Sequence, residues 1–481
     1  QPPRLRRCHM KLASLFENAL PDPARAAASY RAVRALDPAD TGVMDRLIAL
    51  HLRTGQRTEA AEVLEARTKS ETQPRARVEL LERLAALYDQ MGDARLAAER
   101  YADAYNVGPQ HATGGRRLAQ LWGKEQPRLQ EVLKGAVAAY RFVLRKEPLR
   151  LETLARLADV LEWQAAAAQA DRRLWTCDLL SHLGAATEGH ARAAAELRAR
   201  RAPQPAKPIA AVRERLVPDT GGAALRRLLP ACREVLDRVM AQELGALGVN
   251  KSDRDDPRKR SALRAELESL AALVGAGDLP LTIFRGPLLG ESVLAAVHED
   301  GPVLIVGPDA VADDRLRPEA RFQAARALAA VAGGWAGLLD VDAERAAAVC
   351  AALVRLGDPG FRPQLRADDV ERAADKAASR KLRKALAAEA SAAAAGWPAQ
   401  FAAFLTALHE EADRVALLVT GQIHAALLVL TGGGRMLRDR GEKPAAAVER
   451  VQGSAEALSL VKFMHADEFY AMRDEIGLVV R

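Results

Sequence analysis

Cysteine is scarce in this chain of 481 residues: Cys8, Cys177, Cys232 and Cys350 lie far apart and form no CxxC pair. That spacing argues against a metal cluster or a disulfide framework. Buried, reduced thiols in a cytoplasmic protein are the expectation. Aromatic residues make up only 4%, so alanine and arginine carry much of the chain. Alanine-rich sequence with few β-branched runs favours close-packed helices, and the bias also fits a GC-rich bacterial genome. Long apolar runs are missing too. The most apolar stretch, Val415 to Leu430, contains Gln422 and His424 and is shorter than the ~20 residues a membrane span needs. It reads as a buried core helix, and no membrane span is expected. No signal-peptide pattern is visible in the sequence as it begins at Gln1. Charge of one sign is not concentrated either: 70 basic and 63 acidic residues are well mixed, for a net +7. A nucleic-acid binder gathers its excess on one face or in a tail. The densest basic run, Lys376, Arg380, Lys381, Arg383 and Lys384, wraps around a helix and reads as a solvated face. No specific nucleic-acid partner is expected.

What is present is repetition. The clearest unit runs Leu84-Ala85, Tyr88, Gly92-Asp93, Ala97, Tyr101, Ala104, Pro109. Ala85 and Ala97 are small where two helices would cross, and Tyr88 and Tyr101 fill the space between neighbours. Gly92-Asp93 turns the chain, with Gly free to take a positive φ, and Pro109 ends the second helix. Looser copies precede it (Leu47-Ile48, Gly55-Gln56, Ala60, Leu64, and before them Leu12-Ala13, Phe16, Ala26, Tyr30, Pro38). Others follow it: Leu118-Ala119, Trp122, Ala136, Tyr140, Pro148, then Leu157-Ala158 with Leu174 and Cys177. The pattern resembles the tetratricopeptide repeat. About five repeats over residues 1–184 imply a stacked α-solenoid, because one unit cannot bury its own apolar face.

In that family the stack forms a groove that holds protein or peptide partners. Carried onto this chain, the groove residues are Glu17 and Asn18, then Asp45, Leu52 and Arg53, then Glu82, Ala86, Asp89 and Gln90. The Lys/Asn set that clamps a peptide carboxylate in chaperone-binding members is absent. Residues 185–201 read as a charged helix capping the array. Ala202-Pro203-Gln204-Pro205-Ala206-Lys207-Pro208 then reads as an extended spacer. Residues 185–210 thus separate the array from a second domain, 211–481.

That domain opens differently. From Leu279, three short apolar runs (Leu279–Phe284, Ser292–Val297, Val303–Val306) are punctuated by Gly286-Pro287, Gly290 and Gly301-Pro302, which predicts a small antiparallel sheet. Arg317-Pro318-Glu319 then starts a helix, with Glu319 favourable at its N-terminal end. The expected fold is mainly α: a solenoid followed by an α+β domain. The order of elements resembles zinc metallopeptidases of the CAAX-prenyl-protease type. Their helix carries HExxH, two His one turn apart on one face with a water-activating Glu, and a later E-x-x-A-D-R stretch supplies a third ligand. Here that later stretch is His409-Glu410-Glu411-Ala412-Asp413-Arg414. His409 replaces the ligand Glu. HExxH occurs nowhere in the chain. The corresponding positions hold Arg326, Ala327 and Ala330. Alanine neither binds zinc nor moves a proton, and arginine stays cationic. The resemblance, over roughly residues 265–430, therefore implies a pseudo-peptidase with no catalytic residues, metal or cofactor. The two halves together resemble repeat proteins of myxobacterial type.

The expected function is a non-catalytic protein-binding scaffold. The alternatives are a hydrolase with a relocated site at His409, Glu410 and Asp413, or a module sensing a ligand in the old cleft. His409 and His424 read as separate structural residues. Gly432-Gly433-Gly434 lacks a following Lys-Ser/Thr and reads as a helix end rather than a phosphate loop. Gly184, Gly221-Gly222 and Gly333-Gly334 read as turns. No G-x-S-x-G and no Cys-His pairing with a nucleophile context is found. Phe463, Met464, Phe469, Tyr470 and Met472 predict a final helix packed on the domain, or one left exposed for docking. The sequence does not specify the oligomeric state.

Overall fold

A computed structural model describes residues 2–164, 168–201, 205–218, 222–259, 261–363, 365, 368–397, 399–432 and 442–480. Gly221, Gly433, Gly434 and the spacer residues Ala202, Pro203 and Gln204 fall outside them. The chain is mainly α-helical with a small sheet. It divides into two compact units, 1–176 and 177–481.

The first unit starts with three helical hairpins: Pro2–Ser14 with Pro23–Leu36, Thr41–Arg53 with Arg57–Ser70, and Pro74–Gln90 with Ala94–Val107. Aspartates set several helix starts. Asp22, Asp40 and Asp93 each accept a hydrogen bond from the backbone N–H three residues on, satisfying one of the free N–H groups of a first turn. Tyr30, Leu47, Ile48 and Leu64 are fully buried, as are Ala85 and Ala97 where the third hairpin crosses. Tyr101 is buried, and Tyr88 is half-buried with its hydroxyl donating to Glu65 Oε1 at 3.1 Å.

Beyond Val107 the hairpin scheme changes. Gly115–Trp122 has only eight residues, and Pro127–Lys146 packs chiefly on Leu151–Trp163 rather than on its predecessor. The cause lies partly in Gly114-Gly115. A Cβ on Gly114 would come 2.2 Å from the Tyr101 ring, and one on Gly115 would come 2.2 Å from Trp163 and 2.3 Å from the Tyr105 hydroxyl. Only glycine lets this backbone press so closely against three aromatic rings. Cys8 is exposed, against the expectation that all four thiols are buried. Its helix, Pro2–Ser14, packs chiefly on Pro23–Leu36, and Cys8 lies outside that contact.

The second unit includes the helix Glu188–Ala199, expected to cap the array, and the described part of the spacer. Ala206 donates its N–H to the Ile476 carbonyl at 2.8 Å, so that segment lies against the end of the chain. The sheet has β1 (Thr282–Arg285), β2 (Val293–His298) and β3 (Gly301–Val306) in the order β1-β3-β2, with β4 (Val311–Ala312) and β5 (Arg315–Leu316) as a separate pair. It is not wholly antiparallel as expected. β2 and β3 form a hairpin, pairing Ala295 with Leu304, but β1 runs parallel to β3, pairing Ile283 with Leu304. The loop 286–292 reverses the chain once and the β2–β3 turn reverses it again. β1 therefore enters on the free edge of β3, in the same direction.

The helix Pro318–Gly333 packs on β2 and on the helices Ala262–Val274, Ala399–Thr420 and Ile423–Leu430. Its Ala320, Ala324, Ala325, Ala327 and Ala330 are all essentially buried, small enough to admit several neighbours at close range. The stretch Val415–Leu430 is largely buried, with His424 exposed, but it is not one helix. It breaks at Gly421, whose φ is +67° and where a Cβ would lie 2.3 Å from Arg201 Nη1. That same Arg201 nitrogen donates to the Gly421 carbonyl at 2.7 Å. The final helix is likewise two, Ala455–His465 and Asp467–Glu475. Phe463, Met464, Phe469 and Met472 are buried, so these helices pack rather than stand free. Among the described residues, no helix is long and apolar enough to cross a membrane.

Candidate functional site

The helices Pro318–Gly333 and Ala399–Thr420 lie side by side, which brings Arg326 to Asp413 across 87 residues of chain. Arg326 Nε donates to Asp413 Oδ1 at 2.7 Å, with only 2% of the aspartate side chain exposed. Burial pushes the Asp413 carboxyl up to about 6, although Arg326 pulls it back. Its second oxygen is buried and accepts no hydrogen bond from the described residues. Ala327 and Ala330 sit beside this pair, both buried in packing.

Successive residues of an α-helix turn by 100°, so neighbours in 409–414 face different surroundings. His409 Nδ1 lies 3.9 Å from Glu456 Oε1, and the contact with His409 holds the Glu456 carboxyl below its ordinary range. Glu410 instead accepts from Ser459 Oγ at 2.6 Å and from Arg414 at 3.2 Å. Glu411 is buried and held by Arg226 and Arg213. Thus Arg326, His409 and Asp413 share a neighbourhood, whereas Glu410 does not join them.

A cleft of about 560 Å³ opens beside His409 and Glu456, walled by Phe401, Leu405, Thr406 and the start of the helix Ala343–Gly357. It reaches His409 but not Arg326. A second histidine contact joins His182 and His424, Nδ1 to Nδ1 at 3.0 Å, with Arg450 Nη2 3.4 Å from His182 Nε2. Burial, His424 and Arg450 together push His182 down to about 3. It is a neutral hydrogen-bonding residue at physiological pH. His424 thus lies against His182, whereas His409 lies against Glu456.

In the first unit, the acidic residues expected to face the groove are used within the array. Glu82 binds the backbone N–H of Thr113, its hydroxyl at 2.6 Å and the N–H of Gly114 at 2.6 Å. Asp89 takes a bidentate pair from Arg117, both at 2.7 Å. Glu17 accepts from the Tyr30 hydroxyl at 2.7 Å and lies 3.9 Å from Arg53. Asp45 pairs with Arg67 at 3.4 Å, and Asn18 donates back to the Ser14 carbonyl at 3.1 Å. Leu52 and Gln90 are exposed, and Ala86 is half-buried. A depression of about 310 Å³ on other faces of the array, lined by Lys69, Arg77, Arg100 and Asp103, lies outside the groove set. The basic run at 376–384 is exposed apart from Arg383, which pairs with Asp375 at 2.8 Å. Among the described residues, one group has ligand atoms close enough for a metal: His298, Glu299 and Asp300 at the β2–β3 turn, with both acids exposed. No family model matches this chain, and no curated protein does either.

Proposed function

We propose that this protein is a non-catalytic scaffold: the helical array receives a protein or peptide, and the second unit is a peptidase-like domain whose metal chemistry has given way to a structural ion pair. One observation carries the reading. Where two facing helices would need metal ligands and a water-activating carboxylate, the charged atoms are Arg326 Nε and Asp413 Oδ1, 2.7 Å apart. A guanidinium held against the Asp413 carboxylate repels a divalent cation and occupies the oxygen that would otherwise activate water. The flanking Ala327 and Ala330 supply neither ligand nor base. For the first unit, the support is the run of hairpins, whose exposed Leu52 and Gln90 offer contact positions to a partner. Buried cysteines outside any disulfide, such as Cys232 and Cys350, favour a reducing compartment, so we place the protein in the cytoplasm, which cell fractionation checks.

Two measurements on the full chain test this. After dialysis against zinc, elemental analysis should find well under one zinc per chain. Stoichiometric zinc that disappears in the Asp413→Asn variant overturns the pseudo-peptidase reading. Partner capture from a cell extract should be lost in the double variant Leu52→Glu, Gln90→Arg. Unchanged capture removes the groove from the proposal.

A second reading, ligand sensing by the second unit, is favoured by the cleft at His409. A hydrolase built on His409, Glu410 and Asp413 has less support, because Glu410 is engaged by Ser459 and Arg414.

A further inference from the structure

A separate cavity of about 380 Å³ lies in the second unit between the helix Arg233–Met240, the start of β3 and the far half of the helix Pro318–Gly333. Its walls are apolar: Ala276, Leu279, Leu281, Pro302, Leu328 and Val331. Its charged atoms are mostly acidic, since Glu234, Asp237 and Asp300 line it as well. Glu234 and Asp300 are exposed and stand at the mouth. Asp237 is half-buried and has no hydrogen-bond or ion-pair partner among the described residues.

Among the described residues, the one cation lining the cavity is Arg233. Its Nη2 already donates to the carbonyls of Val331 and Ala332, both at 2.9 Å, closing the C-terminal end of that helix, where unpaired carbonyls need donors. Arg233 is thus committed to the backbone. Its charge draws on Asp237, yet burial still pushes that carboxyl up to about 6. At the mouth, His298 Nδ1 lies 3.8 Å from Asp300 and adds no fixed charge when neutral.

We propose that this cavity binds a small amphipathic amine, with the apolar body against Leu281, Leu328 and Val331 and the ammonium on Asp237. An anionic ligand would meet three carboxylates. A neutral one would fill the apolar volume but bring no counter-charge to the partly desolvated Asp237 carboxylate, which is costly. An ammonium on an apolar body satisfies both the shape and the charge. The volume lies near the lower end for small-molecule sites, so the ligand is the size of a single ring or short chain. The site is separate from the Arg326–Asp413 pair and does not depend on the scaffold reading.

The test uses the full chain and three probes of similar shape: phenethylamine, 2-phenylethanol and 3-phenylpropionate. Binding is followed by titration calorimetry and ligand-observed NMR at pH 7.5. The amine should bind at least about tenfold more tightly than the alcohol, equal to about 1.4 kcal/mol, and the acid should not bind. In Asp237→Asn the ratio of amine to alcohol should fall to about one while the alcohol still binds. Leu281→Trp, at a half-buried wall, should remove both. Equal affinities in the unaltered protein, a preference that survives Asp237→Asn, or no binding by any probe at millimolar concentration each overturns the proposal.

Discussion

Replacing Asp413 with asparagine is expected to stabilise the second unit at neutral and alkaline pH, which is unusual for a buried, paired residue. Held at about 6 in the folded chain against an ordinary 3.8, the Asp413 carboxyl is harder to ionise than in the unfolded chain. Folded protein therefore binds the extra proton between these values, and stability falls as pH rises through that window. Above pH 7 the ionised form costs about 3 kcal/mol relative to the unfolded state. The pull of Arg326 is already contained in the value of about 6. Asparagine imitates the protonated acid: Oδ1 still accepts from Arg326 Nε, and an N–H₂ replaces the oxygen that lacks a donor. The expected gain is about 1–3 kcal/mol at pH 8, shrinking to nothing near pH 4. Arg326→Met makes the opposite change. It leaves a buried carboxylate without its counter-charge and should cost about 3–5 kcal/mol at pH 8. That loss should be smaller at pH 5, where Asp413 is protonated. Urea unfolding of both variants and the unaltered chain, followed by circular dichroism from pH 4 to 8, measures these differences. Other groups held near 6, such as Asp178 and Asp237, are common to all three proteins and cancel in the comparison. An asparagine variant destabilised by more than about 1 kcal/mol at pH 8, or a difference independent of pH, would refute the reasoning.

Two further outcomes follow from local geometry. Gly115→Ala should lower the melting temperature, at a cost of about 1–3 kcal/mol, because its Cβ would enter the Trp163 ring and the Tyr105 hydroxyl. Gly135→Ala, with open space around it, should not, so equal melting of the two would remove the close-approach argument. Thiol labelling of the native protein at pH 8 should modify Cys8, which is exposed, and spare Cys232 and Cys350, which burial pushes up to about 12. Labelling of all four at one rate would contradict that burial.

The parts of the fold legible in the sequence are those whose cause is local. Asp22, Asp40 and Asp93 start helices through the backbone three residues away. Ala85 and Ala97 are small for a crossing within one hairpin. The three apolar runs from Leu279 become strands nearly where alternation and glycine placed them. What escaped has a distant cause. Whether β1 runs with or against β3 is set by how many times the chain reverses between them, which composition does not record. The break at Gly421 needs Arg201, over two hundred residues earlier. Glu82 and Asp89 look like groove-facing acids until Thr113, Gly114 and Arg117 are seen to claim them.

The same distinction bears on Arg326. Taken alone, an arginine among alanines on a buried helix is an unpaired charge, and a fold should not tolerate it. Its partner is one helix position on a segment 87 residues away, and only the packing of the two helices supplies it. Asp413, taken alone, is equally unreasonable in a core. Each residue makes the other possible, so neither can give way to an apolar residue by itself: losing Arg326 strands a carboxylate, and an apolar residue at 413 strands a guanidinium that is only 17% exposed. The pair is therefore best tested by a cycle. If Arg326→Met costs about 3–5 kcal/mol and the double variant Arg326→Met, Asp413→Leu costs about 1 kcal/mol or less, the pair serves specificity of packing rather than net stability. A double variant as damaged as the single one would mean that the arginine stem, and not its charge, holds the two helices together.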